Sequence, residues 1–291
     1  MTSTNAIYRD MSIPYRVNGK DQHVAQETWV VSDPTTIDLE LVRSVKIGLI
    51  GGQVDVVAHD EPGARVEVHG VRGRDITISL EGDRLVIDHI DKRWTNFIDM
   101  FRSYRGSSKV EISVLVPRTA ALTFGVVTAS ALISGLHADI SVSTVSGDVV
   151  IDGVVGELSV NSVSGEVAVR GHHGDVTAKT VSGDLTVSGE VFRFRGNSVS
   201  GDTFVDLHGT ADIVSTKSVS GVVTVRLDAG VPTQYRISTL SGALQLDDTR
   251  ITGVKGQYEG RYGELHGRFT EVVANSVSGD VSVVHAERVS S

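Results

Sequence analysis

The chain has 291 residues, a net charge of −9, 40% hydrophobic and only 5% aromatic residues, 31 Gly and no Cys. The acidic balance argues against nucleic acid as a partner, since that calls for a basic face. The absence of Cys removes disulfides, thiolate chemistry and Cys-based zinc sites. The apolar set is mostly Val, Ile and Leu, which suit a pleated, half-buried surface, so the composition points to all-β structure.

At the N-terminus, MTSTNAIYRD lacks a basic start followed by an apolar core and a small-residue cleavage site, so no signal peptide is expected. No apolar run approaches the roughly 20 residues of a membrane helix. The default expectation is a cytoplasmic chain, with cell-envelope association left open. Residues 1–36 read as a polar tail or cap, with Trp29–Val31 offering one strand, and 37–291 as a single β-solenoid domain. Strand alternation is clear in Val45–Val56, Arg65–His69, Asp75–Leu80 and Arg84–His89, separated by Pro62-Gly63, Gly70–Gly73 and Gly82-Asp83. Residues 91–109 break it: Trp94, Phe97, Ile98 and Phe101 fall at helical spacing, which predicts a helical insertion or lid.

From Val110 onward one phrase organises the chain. It occurs as TVSGDV (144–149), SVSGEV (162–167), TVSGDL (180–185), SVSGDT (198–203), SVSGVV (218–223), TLSGAL (239–244) and SVSGDV (276–281). Its glycines stand at 147, 165, 183 and 201, a step of 18, and then at 221, 242 and 279. A fixed period of this kind marks stacked repeats.

With each Gly as zero, apolar residues occupy minus seven, minus five, plus two and plus four, and Thr or Ser occupies minus three. Val or Leu at minus two is read as inward, which puts the corner between minus three and minus two. Replacing Val181 or Val199 with Asp is then expected to be severe. A second corner follows plus five, at Gly153, Gly171 and Gly189. The same pattern fits earlier coils around Gly52 and Ala129. Residues 247–268 read as a protruding loop or degenerate coil before a last coil, Phe269–Val284. The expected fold is a single-stranded parallel β-solenoid with coils of about 18 residues.

The Ser before each Gly and the acid after it point outward. Ser146, Ser164, Ser182 and Ser200 form one column, and Asp148, Glu166, Asp184 and Asp202 its neighbour, a candidate strip for a cation or glycan. Like charges at coil spacing repel by about 1 kcal/mol per adjacent pair in water. No P-loop, dinucleotide fingerprint, nucleophile elbow or HExxH motif is present, so no catalytic residue, cofactor or metal ligand is assigned. His172-His173 and Asp247-Asp248 read as exposed turns. The alternative to a binding module is a carbohydrate-active β-helix enzyme with its site between 91–109 and 247–268.

The repeated (T/S)VSGD(V/L) units, Val116-Pro117-Arg118 ahead of them, and the Gly/Tyr-rich stretch before the final SVSGDV resemble a bacterial β-strand-repeat family, the "putative adhesin" domain of unknown function. The resemblance covers roughly residues 40–285. It implies a right-handed parallel β-solenoid without catalysis, an adhesin-like or envelope-stress-associated module with a protein or glycan partner. A homo-oligomer is compatible with it.

Overall fold

The structure, a computed structural model, describes residues 15–17, 20–22, 26–89, 108–253 and 256–286. Of the expected helical insertion at 91–109, residues 91–107 lie outside them, and Lys109 opens a strand. The described residues are all-β, with no helix among them. They fall into two compact units, 1–138 and 139–291.

Unit 1–138 mixes parallel and antiparallel pairing. Ala121–Val126 lies parallel to Ser44–Leu49, and Ser130–Ser134 parallel to Gly52–His59, so the coils at Gly52 and Ala129 do stack. Their apolar positions Val45, Ile47, Val54, Val56, Leu122, Phe124 and Ile133 are buried. Beyond them the order changes. Lys109–Pro117 is parallel to Gly52–His59 on one edge and antiparallel to Ala64–Arg72 on the other. Arg84–Asp88 is parallel to Ser44–Leu49 and antiparallel to Ile76–Glu81, which pairs antiparallel with Gln26–Val31. The two-residue link 82–83 returns the chain as a hairpin, whereas Gly52–His59 and Ala64–Arg72, joined by 60–63, are kept apart by Lys109–Pro117 between them.

Unit 139–291 carries the repeats. Ile140, Leu158, Val176 and Phe194 align in parallel at steps of 18, as do Val149, Val167 and Leu185. Each coil supplies one strand before the phrase and one after it, so side chains recur in columns. Minus seven, minus five, plus two and plus four face inward as expected, and Val142, Val160, Val169, Val187, Val205 and Val225 are buried.

The minus-two column does not. Val163, Val181, Val199, Val219 and Val277 are 41–48% exposed and Leu240 is 80% exposed, while Val145 alone of the phrase's set is buried. The hydroxyl at minus three explains the difference. Thr144, Ser162, Thr180, Ser198, Ser218 and Ser276 each donate to the carbonyl of the Gly three residues on, at 2.7–3.0 Å. That contact closes a turn from minus three to zero, keeps both ends inward and turns the two central residues away from the coil's own core; Val145 sits in the same turn, closed by Thr144, and is buried all the same. The corner therefore spans four residues, and Val181 and Val199 are not core.

The stretch 247–268 also differs from a protruding loop. Thr249–Ile251 pairs antiparallel with Leu244–Leu246, and Gln257–Tyr262 antiparallel with Thr233–Thr239, covering the edges of the Gly242 coil. Edges left bare would offer unpaired backbone to another chain.

Candidate functional site

The phrase builds the corner atom by atom. The Gly column has no room for a side chain: a Cβ on Gly165, Gly183, Gly201, Gly221 or Gly279 would run into the carbonyl of the Gly in the neighbouring coil. The Ser at minus one is spent on the same stacking. Ser164, Ser182, Ser200, Ser220, Ser278 and Ser241 donate to the carbonyl of the minus-two residue in the adjacent coil at 2.9–3.3 Å.

The acids follow suit. The Glu166 amide donates to Asp148 Oδ1 at 3.1 Å, Asp202 to Asp184 at 2.9 Å, Val222 to Asp202 at 2.8 Å and Ala243 to Asp280 at 2.7 Å. Each such carboxylate accepts the amide at the same position one coil along, a charge-assisted bond that offsets part of the like-charge repulsion. The structure thus brings Ser146, Asp148, Ser164, Glu166, Ser182, Asp184, Ser200 and Asp202 to one exposed corner. The hydroxyls of Ser164, Ser182 and Ser200 and one oxygen each of Asp148, Asp184 and Asp202 already have backbone partners. Among the described residues no group of three or more His, Cys, Asp and Glu could hold a metal ion.

The part of the phrase with no such partner is the outward side chain at minus two. In stacking order Val163, Val181, Val199, Val219, Val277 and Leu240 form an aliphatic ridge. Five steps of about 4.8 Å give it a length of roughly 24 Å. Asp184, Asp202 and Asp280 run along one side of it, while Asn161, Lys179, Asn197, Lys217 and Asn275 stand exposed on the other. Sequence reasoning missed the ridge because it assigned these residues to the core. The signal that could have found it was the Thr or Ser three residues before each Gly, a turn-closing spacing.

The adjacent histidines are not both the exposed turn residues expected. His173 is exposed and lies 3.1 Å from Glu190, but His172 is buried with both ring nitrogens unpartnered. Burial holds His172 below the usual imidazole range, since a charged ring would lose its hydration there. Asp247 belongs to a cluster invisible in the sequence. His285 Nδ1 lies 3.1 Å from Asp247 Oδ1, and His285 Nε2 lies 3.1 Å from Thr233 Oγ1. The hydroxyl–imidazole–carboxylate order resembles a catalytic relay, but Thr233 is wholly buried and Tyr262 stacks on the ring at 3.7 Å, so no substrate reaches it. The cluster is a fastening.

A groove of about 310 Å³ in unit 1–138 is lined by Asp38, His59, Glu61 and Arg65 beside Leu39 and Leu115. Asp38 is paired with Arg65 at 2.6 Å, and both side chains are more than half exposed. Such a pair lies in water, where a charge is worth little to a reaction.

The Toastrack DUF4097 family model matches residues 45–284. The chain belongs to that family. Among solved structures, a "putative lipid binding protein" from Parabacteroides distasonis is similar at 17% identity, covering 87% of this chain and 97% of that one, with a TM-score of 0.51. A "putative cell adhesion protein" from Clostridium sporogenes shares 13% identity over 90% of this chain and 100% of its own, with a TM-score of 0.31. A "putative adhesin" from Bacteroides fragilis shares 10% over 87% and 98%, with a TM-score of 0.41. At these identities the first bears on the fold alone. No curated protein matches the chain. Among the described residues no helix is long and apolar enough to cross a membrane.

Proposed function

We propose that this Toastrack chain is a non-enzymatic binding module, a parallel β-solenoid that holds its outer corner against a protein partner. The observation that carries the reading is the aliphatic ridge. Six of the seven phrases place an apolar side chain in water at minus two, while the Thr, Ser and Gly around it serve the turn and the stacking. A contiguous exposed apolar strip marks an interaction surface more often than a solvated one. The carboxylates beside it favour a partner surface with aliphatic residues and basic groups at its rim. A glycan would want aromatic platforms, and the ridge has none. The ladder bonds spend one oxygen of Asp148, Asp184 and Asp202 on the backbone, and among the described residues no group of three or more acids or histidines could hold a metal ion, so the acids make a poor cation strip. Partial support for a non-catalytic module comes from the names of the similar structures, adhesin-like and lipid-binding, and an envelope setting agrees with them.

A photo-crosslinking residue at Val199 and, separately, at Thr224 on a strand face tests the surface in cells of the source organism. The expected result is one protein adduct at position 199, competed away by excess native protein and not by the Val181→Asp/Val199→Asp variant. Equal adducts at both positions, or equal competition by the variant, would overturn the reading. Glycan-array binding that survives loss of the ridge would move the proposal to a carbohydrate ligand at another face.

A further inference from the structure

The chain visits its coils out of order. From the Gly147 coil to the Gly221 coil each new coil stacks on the one before it. The next in sequence, Thr233–Leu246 with Gly242, does not pair with the Gly221 strands, which pair instead with Thr270–Ser276 and Val281–His285. Ser218 aligns with Ser276, and Ser276 with Thr239; Val223 aligns with Val281, and Val281 with Leu244. The coil Thr270–His285, later in the chain, is inserted between two earlier ones. The Gly242 coil beyond it carries the antiparallel cover.

Nothing in the phrase instructs the Gly242 coil to leave that space. Its residues Ile237 and Leu244 face inward like Ala274 and Val281, and Ser241 makes the same bond to the coil below that Ser278 makes. The link 228–232 that spans the gap is as long as 208–212, which spans a single step. Loop closure favours the nearer segment, so 233–246 meets the Gly221 coil before 270–285 does. The inserted state requires a slot, with the strand edges of two coils open on either side of it. Any copy of segment 270–285 satisfies those edges with the same bonds.

The inserted coil is then fastened by its last residue. The His285 ring meets Asp247, Thr233 and Tyr262, and its backbone amide donates to Asp247 Oδ1 at 2.7 Å. All three residues belong to the end coil and its cover, so His285 closes the slot from the far side.

We propose that Thr270–His285 is an exchangeable coil, and that its slot accepts the same coil from a second copy of the chain, giving a reciprocal, domain-swapped dimer. Exchange of an identical element between copies is a low-cost route to association, because each interface already exists within one chain. The proposal does not depend on what the ridge binds.

The chain has no Cys, so introduced thiols report pairing cleanly. Lys217 and Asn275 are register partners in adjacent strands and both are exposed, at a spacing that suits a disulfide. Full-length Lys217→Cys and Asn275→Cys chains are unfolded together, refolded at high concentration and oxidised. The expected result is a covalent heterodimer in at least tenfold excess over that from Lys179→Cys with Asn275→Cys, positions three coils apart in the stack. Equal yields from Lys217→Cys and Lys179→Cys would overturn the proposal. The double variant Lys217→Cys/Asn275→Cys should close within one chain in dilute solution; failure to close would overturn the insertion itself.

Discussion

Gly201→Ala and Val199→Asp, two residues apart, are expected to have opposite consequences to those that hydrophobicity suggests. A Cβ on Gly201 would lie 2.6 Å from the carbonyl carbon of Gly183, and nearer still to its oxygen, where carbon atoms normally rest 3.5–4.0 Å apart. Backbone, not a flexible side chain, is the obstacle, so the two coils must part by about 1 Å at the corner. The bonds on either side bear the strain: the Ser200 amide to Val181 O at 2.9 Å and the Asp202 amide to Asp184 Oδ1 at 2.9 Å. Overpacking costs typically ~1–3 kcal/mol, and each weakened hydrogen bond about 0.5–1.5 kcal/mol. Together they put Gly201→Ala at roughly 2–6 kcal/mol. Val199 is 47% exposed with no core contact to lose, so Val199→Asp should cost under ~1 kcal/mol, chiefly through repulsion from the neighbouring carboxylates. Urea unfolding followed by circular dichroism measures both. A Gly201→Ala midpoint matching the native protein, or a larger loss for Val199→Asp than for Gly201→Ala, would refute the corner geometry.

Other outcomes follow from the same contacts. Thr180→Val removes the hydroxyl that reaches Gly183 O at 2.7 Å, and should cost about 1–3 kcal/mol in urea unfolding, whereas Thr180→Ser, the residue at this position in the Gly165 coil, should stay within about 0.5 kcal/mol. Asp184→Asn keeps an acceptor for the Asp202 amide and should lose less than Asp184→Ala; millimolar calcium should leave the melting temperature of the native protein unchanged, and a calcium shift abolished by Asp184→Asn would restore the cation strip. His89 is buried, and burial lowers its pKa from 6.5 to about 4. The unfolded chain therefore binds this proton first, so stability is full above pH 6.5 and falls as pH drops toward 4, by at most about 3 kcal/mol. His172 acts in the same direction. Urea midpoints at pH 7.5 and 4.5 should show His89→Gln losing 2–3 kcal/mol less than the native protein (roughly one proton's linkage over this window); equal losses would exclude His89 as the source.

What could be read from the sequence was whatever the period carries. Ile140, Leu158 and Val176 recur at 18 residues because side chains in register bury one another, and that pressure writes itself into spacing. The repeated Ser and acid were rightly placed outside for the same reason. The direction of Val181 was not legible from hydrophobicity, since a β-branched apolar residue suits a core strand and an exposed corner alike. It is decided by the Thr180 hydroxyl bonding to Gly183, a local contact that outweighs the preference of one Val for the interior. His172 went the other way. Its column includes Val154, and the bend after plus five turns its ring inward despite the flanking Gly171 and Gly174.

Pairing direction and stacking order were less legible still. Alternation in Ala64–Arg72 and Ile76–Glu81 predicts strands, yet a strand has the same alternation whether its neighbour runs parallel or antiparallel, so it does not reveal that Ala64–Arg72 pairs with Thr35–Leu39 and Lys109–Pro117 rather than with the strand just before it. In the repeats the ambiguity is deeper. Gly221, Gly242 and Gly279 each sit in a phrase that stacks by the same bonds, and the period alone allows the Gly242 coil to follow the Gly221 coil directly. What selects the inserted order lies outside the phrase, in Asp247, Tyr262 and His285, residues that no periodicity connects. Interchangeable repeats give stability through nearest neighbours and leave register to a few unrepeated contacts. Here those contacts gather at the end of the stack, where an exchange of coils would have to begin.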